Sequence, residues 1–389
     1  MEFAKRMERL ETGIFSKLAE IKARRLAEGK SLVDLSVGTP NIPPSEEIVN
    51  TLLEAAADRK NYVYAISDLP ELREAVAVWY QRRYHVTLDP VNEVISLLGS
   101  QEGLSHISLA VADEGDVVLV PDPCYPAFAD GPRIAGAELY YMPQRPENGY
   151  IIDLDAIPEE IARRAKLIIV SYPNNPTTAV APPSFYEKLI AFAKKYNIWV
   201  LHDNAYSELV FDGVYGGSFL AYEGARDVGV EFNSLSKTYG LAGARIGFCV
   251  GNRDLVAKLA KLKSNTDYGM FIPFQKAAAV AITGDQSCVV TTREAYEHRR
   301  NVLCDGLTEI GWKVDRSPST MFVWAKIPAN FDDSEVFAME LIRRAGVIVT
   351  PGSAFGPLGR DHVRLALVQD EDTIHEAIAA IKESGILNC

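Results

Sequence analysis

The sequence contains no Cys-x-x-Cys pair. Cys124, Cys249, Cys288, Cys304 and Cys389 are scattered and odd in number, which argues against a zinc ribbon or a disulfide framework. No apolar run approaches the roughly 18 residues that a membrane span needs. Basic residues are outnumbered, 40 Lys and Arg against 52 Asp and Glu, and the resulting net charge of -12 has the wrong sign for a nucleic-acid footprint. Residues 1 to 30 are charged throughout and lack the apolar core of a signal peptide. Internal repeats, low-complexity tracts and Pro/Gly/Ser-rich linkers are also missing. These absences lead us to expect a globular, cytoplasmic protein with no nucleic-acid or membrane partner and no metal staple. A length of 389 residues suggests two domains, taking about 150 residues for each as a soft prior.

What is present is an alternation of short apolar runs and helical stretches. Ile14, Leu18 and Ile21 fall at helical spacing, so residues 14 to 28 read as an amphipathic helix. From residue 95 come ISLL (95–98), DVVLV (116–120), AELYYM (137–142), KLIIV (166–170), IWVLH (198–202), GVEF (229–232) and RIGFCV (245–250). Strands buried on both faces have this composition, and the helical segments between them supply crossovers, so a mostly parallel sheet between helices is the economical α/β reading. After residue 290 the texture changes to a long charged helix, then WKVD, FVWAKI, GVIVT and VRLALV, and a last helix near 372–384. This reads as a smaller α+β domain. We therefore divide the chain into an N-terminal arm and helix (1–45), a large domain (46–285) and a small C-terminal domain (286–389).

Ligands of open α/β sheets bind beyond the carboxyl ends of the strands. Five runs are followed there by polar loops: Gly99-Ser100-Gln101, Cys124-Tyr125, Asn174-Asn175-Pro176-Thr177, Asp203-Asn204-Ala205-Tyr206 and Ser234-Leu235-Ser236-Lys237. One such loop is ordinary turn chemistry; five at one edge argue for a shared ligand. Gly99 and Ser100 opening a helix, with Ser234, Ser236 and Arg245, make donors for a phosphate. Asp203 suits a cationic ring nitrogen, and Tyr125 could stack on an aromatic face.

The segment SLSKTYGLAGARIG (234–247) resembles the cofactor-lysine signature of the class I/II aminotransferases, fold type I enzymes that use pyridoxal 5'-phosphate. Gly38-Thr39-Pro40, Pro70-Glu71-Leu72-Arg73, the glycine loop 99–103, Asn174-Asn175-Pro176-Thr177, Asp203 with Tyr206, and Val363-Arg364-Leu365 follow the same family's order over nearly the whole chain. The resemblance implies a seven-stranded, mostly parallel sheet. It also implies that Lys237 forms a Schiff base with the cofactor and then moves a proton, and that Asp203 keeps the pyridine nitrogen protonated. Tyr206 and Asn175 would donate to the ring oxygen. Ser100, Gln101, Ser234, Ser236 and Arg245 would line the phosphate side, and Tyr125 would stack on the ring. Arg364 would clamp the substrate α-carboxylate with a fork that Lys cannot copy, Gly38 letting the backbone approach. Tyr172 and Asn174 read equally well as packing and turn residues. Relatives send a tyrosine across a dimer interface to the neighbouring phosphate; Tyr62 and Tyr64 are the candidates, Tyr64 preferred, although Asp68 stands near the family's glycine position.

The expected activity is ping-pong transfer of an amino group between an L-amino acid and a 2-oxo acid, by a homodimer with shared sites. A carbon–sulfur β-lyase of the same fold would present the same cofactor residues. A ligand-sensing regulator on this fold would need an N-terminal DNA-binding module, and the roughly thirty residues before Gly38 are too few for one. Gln101 stands where some relatives carry a lysine for a distal carboxylate, which disfavours a strict aspartate enzyme.

Overall fold

The computed structural model describes residues 14 to 388 together with Phe3, Ala4, Met7, Glu8 and Leu10, with side chains continuous from Leu18. The side chain of Ile14 and the whole of Cys389 lie outside the described residues. The strands are β1 (Val33–Asp34), β2 (Val94–Leu98), β3 (Val117–Asp122), β4 (Glu138–Pro143), β5 (Ala165–Ser171), β6 (Trp199–Asp203), β7 (Gly229–Ser234), β8 (Ile246–Gly251), β9 (Phe322–Lys326), β10 (Val347–Ile348), β11 (Thr350–Pro351) and β12 (His362–Ala366). Seven of them form one sheet in the order β2-β8-β7-β6-β5-β3-β4, parallel except for β8, which runs antiparallel to both neighbours.

Alternation along each strand divides the core into two layers. Leu119, Ile168, Val170 and Val200 face the helix Pro70–Tyr84 and its Trp79 and Tyr80, whereas Val118, Val120, Leu167, Ile169 and Leu201 face Leu104 and Ile107 of the helix Ser100–Val111. Each fully buried leucine contributes about 1.5–3 kcal/mol of transfer free energy, so both faces demand continuous apolar runs. That is why the central strands are legible as such. β4, at the edge, keeps only Met142 buried.

A second core surrounds the three-stranded antiparallel sheet β11-β12-β9. The helices Ser287–Glu309, Ser334–Ala345 and Glu371–Glu383 contribute Leu303, Phe337, Leu341 and Ile378 to it. β1 pairs in parallel with β10, and Leu18 of the helix Ile14–Ala27 packs on Ile342 and Ile348. Two of the late apolar runs behave differently from their appearance. WKVD forms no strand, because the amides of Trp312 and Val314 are taken by the Leu307 carbonyl and the Thr308 hydroxyl at the end of the preceding helix. GVIVT splits into β10 and β11, which belong to separate sheets. Among the described residues, no helix is long and apolar enough to cross a membrane.

Candidate active site

The carboxyl ends of β2, β3, β5, β6 and β7 open on one cleft of about 280 Å³, closed on its far side by Phe322 and Arg364 of the three-stranded sheet. Two glycines shape the β2 end. Gly99 adopts a left-handed φ of +77°, and a Cβ there would strike the Arg245 guanidinium. Gly247, beside it on β8, would place a Cβ 2.8 Å from the Ser100 amide. Bare backbone thus brings the start of the helix Ser100–Val111 against Arg245, and helix-terminal amides attract anions. Ser234 and Ser236 line the same end of the cleft; the Ser236 amide donates to Ser234 Oγ at 3.2 Å, which fixes the turn into the short helix Leu235–Thr238.

Lys237 leaves that helix to donate from Nζ to the Gly38 carbonyl at 2.9 Å. Burial, reinforced by the Arg364 and Arg245 charges, lowers its pKa to about 8. Asp203, at the end of β6, shows the opposite shift: burial raises its carboxyl to about 7, with His202 and Lys237 opposing. Its Oδ1 lies buried without a hydrogen-bond partner among the described residues. Tyr206, held with its ring edge towards Phe322 at 5.9 Å, has its phenol pushed upward by burial. Tyr125 donates from its hydroxyl to Gln101 Oε1 at 3.2 Å.

Arg364 is the most constrained of these groups. Nη1 donates to Asn175 Oδ1 at 2.8 Å and Nη2 to the Ser36 carbonyl at 3.0 Å. Its Cζ lies 4.0 Å from the ring centre of Phe322 and 4.7 Å from that of Phe355. Phe355 is itself tied to the large sheet, since its carbonyl accepts from the Cys124 amide at 2.7 Å. Gly38 lies close to Phe322: an added Cβ would come within 2.5 Å of that ring. The residue therefore makes room for an aromatic neighbour as well as for any ligand.

Of the residues singled out in the sequence, Gly38, Ser100, Gln101, Tyr125, Asn175, Asp203, Tyr206, Ser234, Ser236, Lys237, Arg245 and Arg364 all line this cleft. Tyr62 and Tyr64 do not. Tyr62 lies against Phe271 and donates to the Ala56 carbonyl at 2.9 Å, while Tyr64 is 83% exposed beside Tyr268. Tyr172 and Asn174 serve the fold: the Tyr172 hydroxyl accepts from the Ile152 amide, and Asn174 Oδ1 accepts from the Thr177 amide and hydroxyl. Phe322, which opens the FVWAKI run, and Phe355 carry no signal in the sequence that ties them to the cleft.

Comparison with known proteins matches this arrangement to a family. The family model for aminotransferase class I and II matches residues 30–381. The chain belongs to the class I and II aminotransferases. It is 43% identical to a protein from Syntrophobacter fumaroxidans named LL-diaminopimelate aminotransferase, over 98% of both chains. It is also 43% identical to the glutamate-pyruvate aminotransferase AlaC of Escherichia coli, over 97% of this chain and 92% of that one. Among solved structures, substrate-bound BacF from Bacillus subtilis superposes with a TM-score of 0.95 at 36% identity, covering 98% of each chain. An aspartate aminotransferase mutant from Thermus thermophilus has a TM-score of 0.92 at 26% identity over 99% of this chain and 100% of that one. The fold is accordingly that of the fold type I aminotransferases, and the protein is an aminotransferase of a family that generally depends on pyridoxal phosphate. The carbon–sulfur lyase reading is not favoured.

Proposed function

We propose that the cleft holds pyridoxal 5'-phosphate and that the protein moves an amino group between an L-amino acid and a 2-oxo acid in two half-reactions. When bound, the cofactor supplies an aldehyde that captures amines and a protonated ring that withdraws electrons from the neighbouring carbon. The observation that carries the reading is Asp203, a buried carboxylate with an unpartnered oxygen at the floor of a cleft. A cationic ring nitrogen is the complement such a group requires.

The other residues fit the same occupant. The helix Ser100–Val111 start, Ser100, Ser234, Ser236 and Arg245 supply donors for a phosphate. Gln101 steadies Tyr125, which offers a ring face. Because Arg364 occupies the Asn175 carbonyl oxygen, the Asn175 amide nitrogen is left to donate beside Tyr206. With a pKa near 8, Lys237 has an appreciable uncharged fraction near neutrality, as a nucleophile and proton carrier needs. Arg364 presents its guanidinium to the substrate carboxylate, and Gly38 borders the same space.

We further propose the division into an arm (1–45), a large domain (46–285) and a small domain (286–389), and a cytoplasmic homodimer with shared sites. Tyr62, Val63, Tyr64, Ile66 and Tyr268 form an exposed apolar group that supports such pairing. Tyr64 would reach the neighbouring phosphate from there.

The test is to mix cofactor-loaded protein with single amino acids, including LL-diaminopimelate, glutamate and alanine, and identify the products. One equivalent of 2-oxo acid with aminated cofactor is expected. Steady release of pyruvate and ammonia from a cystathionine-like compound would overturn the reading.

A further inference from the structure

Behind Asp203 lies a polar cluster to which the proposed reaction assigns no role. His202 and Glu231 stand opposite each other on β6 and β7, and both are fully buried. Glu231 accepts hydrogen bonds from the Tyr80 hydroxyl at 2.8 Å, the Asn204 amide at 3.0 Å, the Ser218 hydroxyl at 2.9 Å and the Phe219 amide at 2.8 Å. Both Glu231 oxygens thus accept from their surroundings, the role of a carboxylate.

His202 Nδ1 lies 2.9 Å from Glu231 Oε2, and Nε2 lies 3.0 Å from the Tyr172 carbonyl oxygen. A carbonyl oxygen can only accept, and so can a carboxylate, so each ring nitrogen must bring its own hydrogen. The Tyr186 hydroxyl, at 3.4 Å from Nε2, is the more distant neighbour and does not change that requirement. We infer that His202 is a positioning residue for Asp203: an imidazolium clamped between Glu231 and Tyr172, one residue before the carboxyl group that lines the cleft.

The cluster is neutral as a pair, which makes its burial tolerable. It also spans three strand ends. The Tyr172 carbonyl belongs to the loop carrying Asn175, Asp203 follows His202 directly, and Glu231 lies three residues before Ser234. One ring therefore ties together the supports of three cleft residues. The titratable groups around it are Glu231 from β7, Tyr172 beyond β5, Tyr186 from the helix Pro183–Tyr196, and Tyr80 from the helix Pro70–Tyr84 through Glu231. Burial alone drives Asp203 towards its protonated form, and His202 is the largest opposing charge, ahead of Lys237, while Glu231 acts the other way.

This inference rests on Asp203 meeting a cationic ring, but its test needs no turnover. Nitrogen NMR of cofactor-free, ¹⁵N-histidine-labelled protein should show one of the six histidines with both ring nitrogens protonated at about pH 8, where an ordinary imidazole is neutral. Glu231→Gln should convert that residue to a neutral ring. Finding no imidazolium in the natural protein would overturn the proposal, whether or not the variant folds. Carboxyl-carbon NMR, with Asp203 assigned by its loss in Asp203→Asn, should then place the Asp203 midpoint about one pH unit higher in Glu231→Gln, since the lost His202 charge acts on Asp203 more strongly than the lost Glu231 charge. An unchanged midpoint would overturn the link to Asp203. Failure of the aminotransferase reading would appear instead in the product assay.

Discussion

Arg364 on the three-stranded sheet and the Lys237–Asp203 pair on the seven-stranded sheet face the same cleft with opposite kinds of support. Arg364 has a carbonyl, a side-chain amide and two aromatic rings arranged around it. Asp203 has an oxygen with no partner among the described residues, and burial draws both it and Lys237 towards neutral pH. A group that must meet the same carboxylate in every substrate gains from being oriented in advance. Lys237, which must take up and lose a proton, gains from an environment in which its charge is poorly stabilised, and the open Asp203 oxygen leaves room for a cationic partner.

Four substitutions test that contrast. Lys237→Ala should lower turnover by about 10²- to 10⁴-fold, the scale of a lost proton carrier, in single-turnover measurements with an amino donor; activity at the natural rate would remove Lys237 from the chemistry. Arg364→Lys keeps the charge but loses the fork, so kcat/KM for the donor should fall by about thirtyfold, equivalent to about 2 kcal/mol. A loss below about threefold would mean that orientation contributes little. Asp203→Asn probes the other wall through stability. Unfolded Asp203 releases its proton near 3.8 and folded Asp203 near 7, so the folded state binds the extra proton between these values and stability falls as pH rises through that window. Lys237, with 10.5 unfolded and about 8 folded, restores stability only above 8. The Tm advantage of Asp203→Asn in cofactor-free protein should therefore widen by about 2 °C between about pH 5 and about pH 7; a constant offset would show that Asp203 is already well solvated. Phe355→Leu should have the smallest effect, raising KM about threefold, about 0.6 kcal/mol, with kcat unchanged. A change as large as that of Arg364→Lys would shift the weight of the clamp from hydrogen bonds to the rings.

The same contrast separates what the sequence reveals from what it hides. The large sheet is legible because strands such as β3 and β5 are buried on both faces and read as unbroken apolar runs. The polar residues after those runs converge because parallel strands deliver their ends to one edge. The environment of Arg364 is hidden, because Phe322 comes from a different strand and Phe355 from a turn held by the Cys124 amide. Neither pairing leaves a periodic trace. The Gly38 contact with Phe322 is hidden for the same reason: it joins residues nearly three hundred positions apart, 38 and 322. WKVD misleads because alternating burial of Trp312 and Val314 imitates a strand although their amides turn back to the helix before them. Tyr64 could be nominated from the chain, but within one subunit it is exposed and does not line the cleft.

The reversed direction of β8 decides where Arg245 can act. A parallel strand begins at the edge of the sheet remote from the cleft, and at about 3.4 Å per residue six residues would carry its leading end roughly 20 Å away. Because β8 runs backwards, its first residue, Ile246, pairs with Leu98, and Gly247 pairs with Ser234. The residue that leads into the strand therefore enters at the same rim where its neighbours finish. The short stretch after Lys237, with its 3-10 helix Ala242–Ala244, thus delivers a second cation to the rim, and reversing one strand does the work of an additional loop.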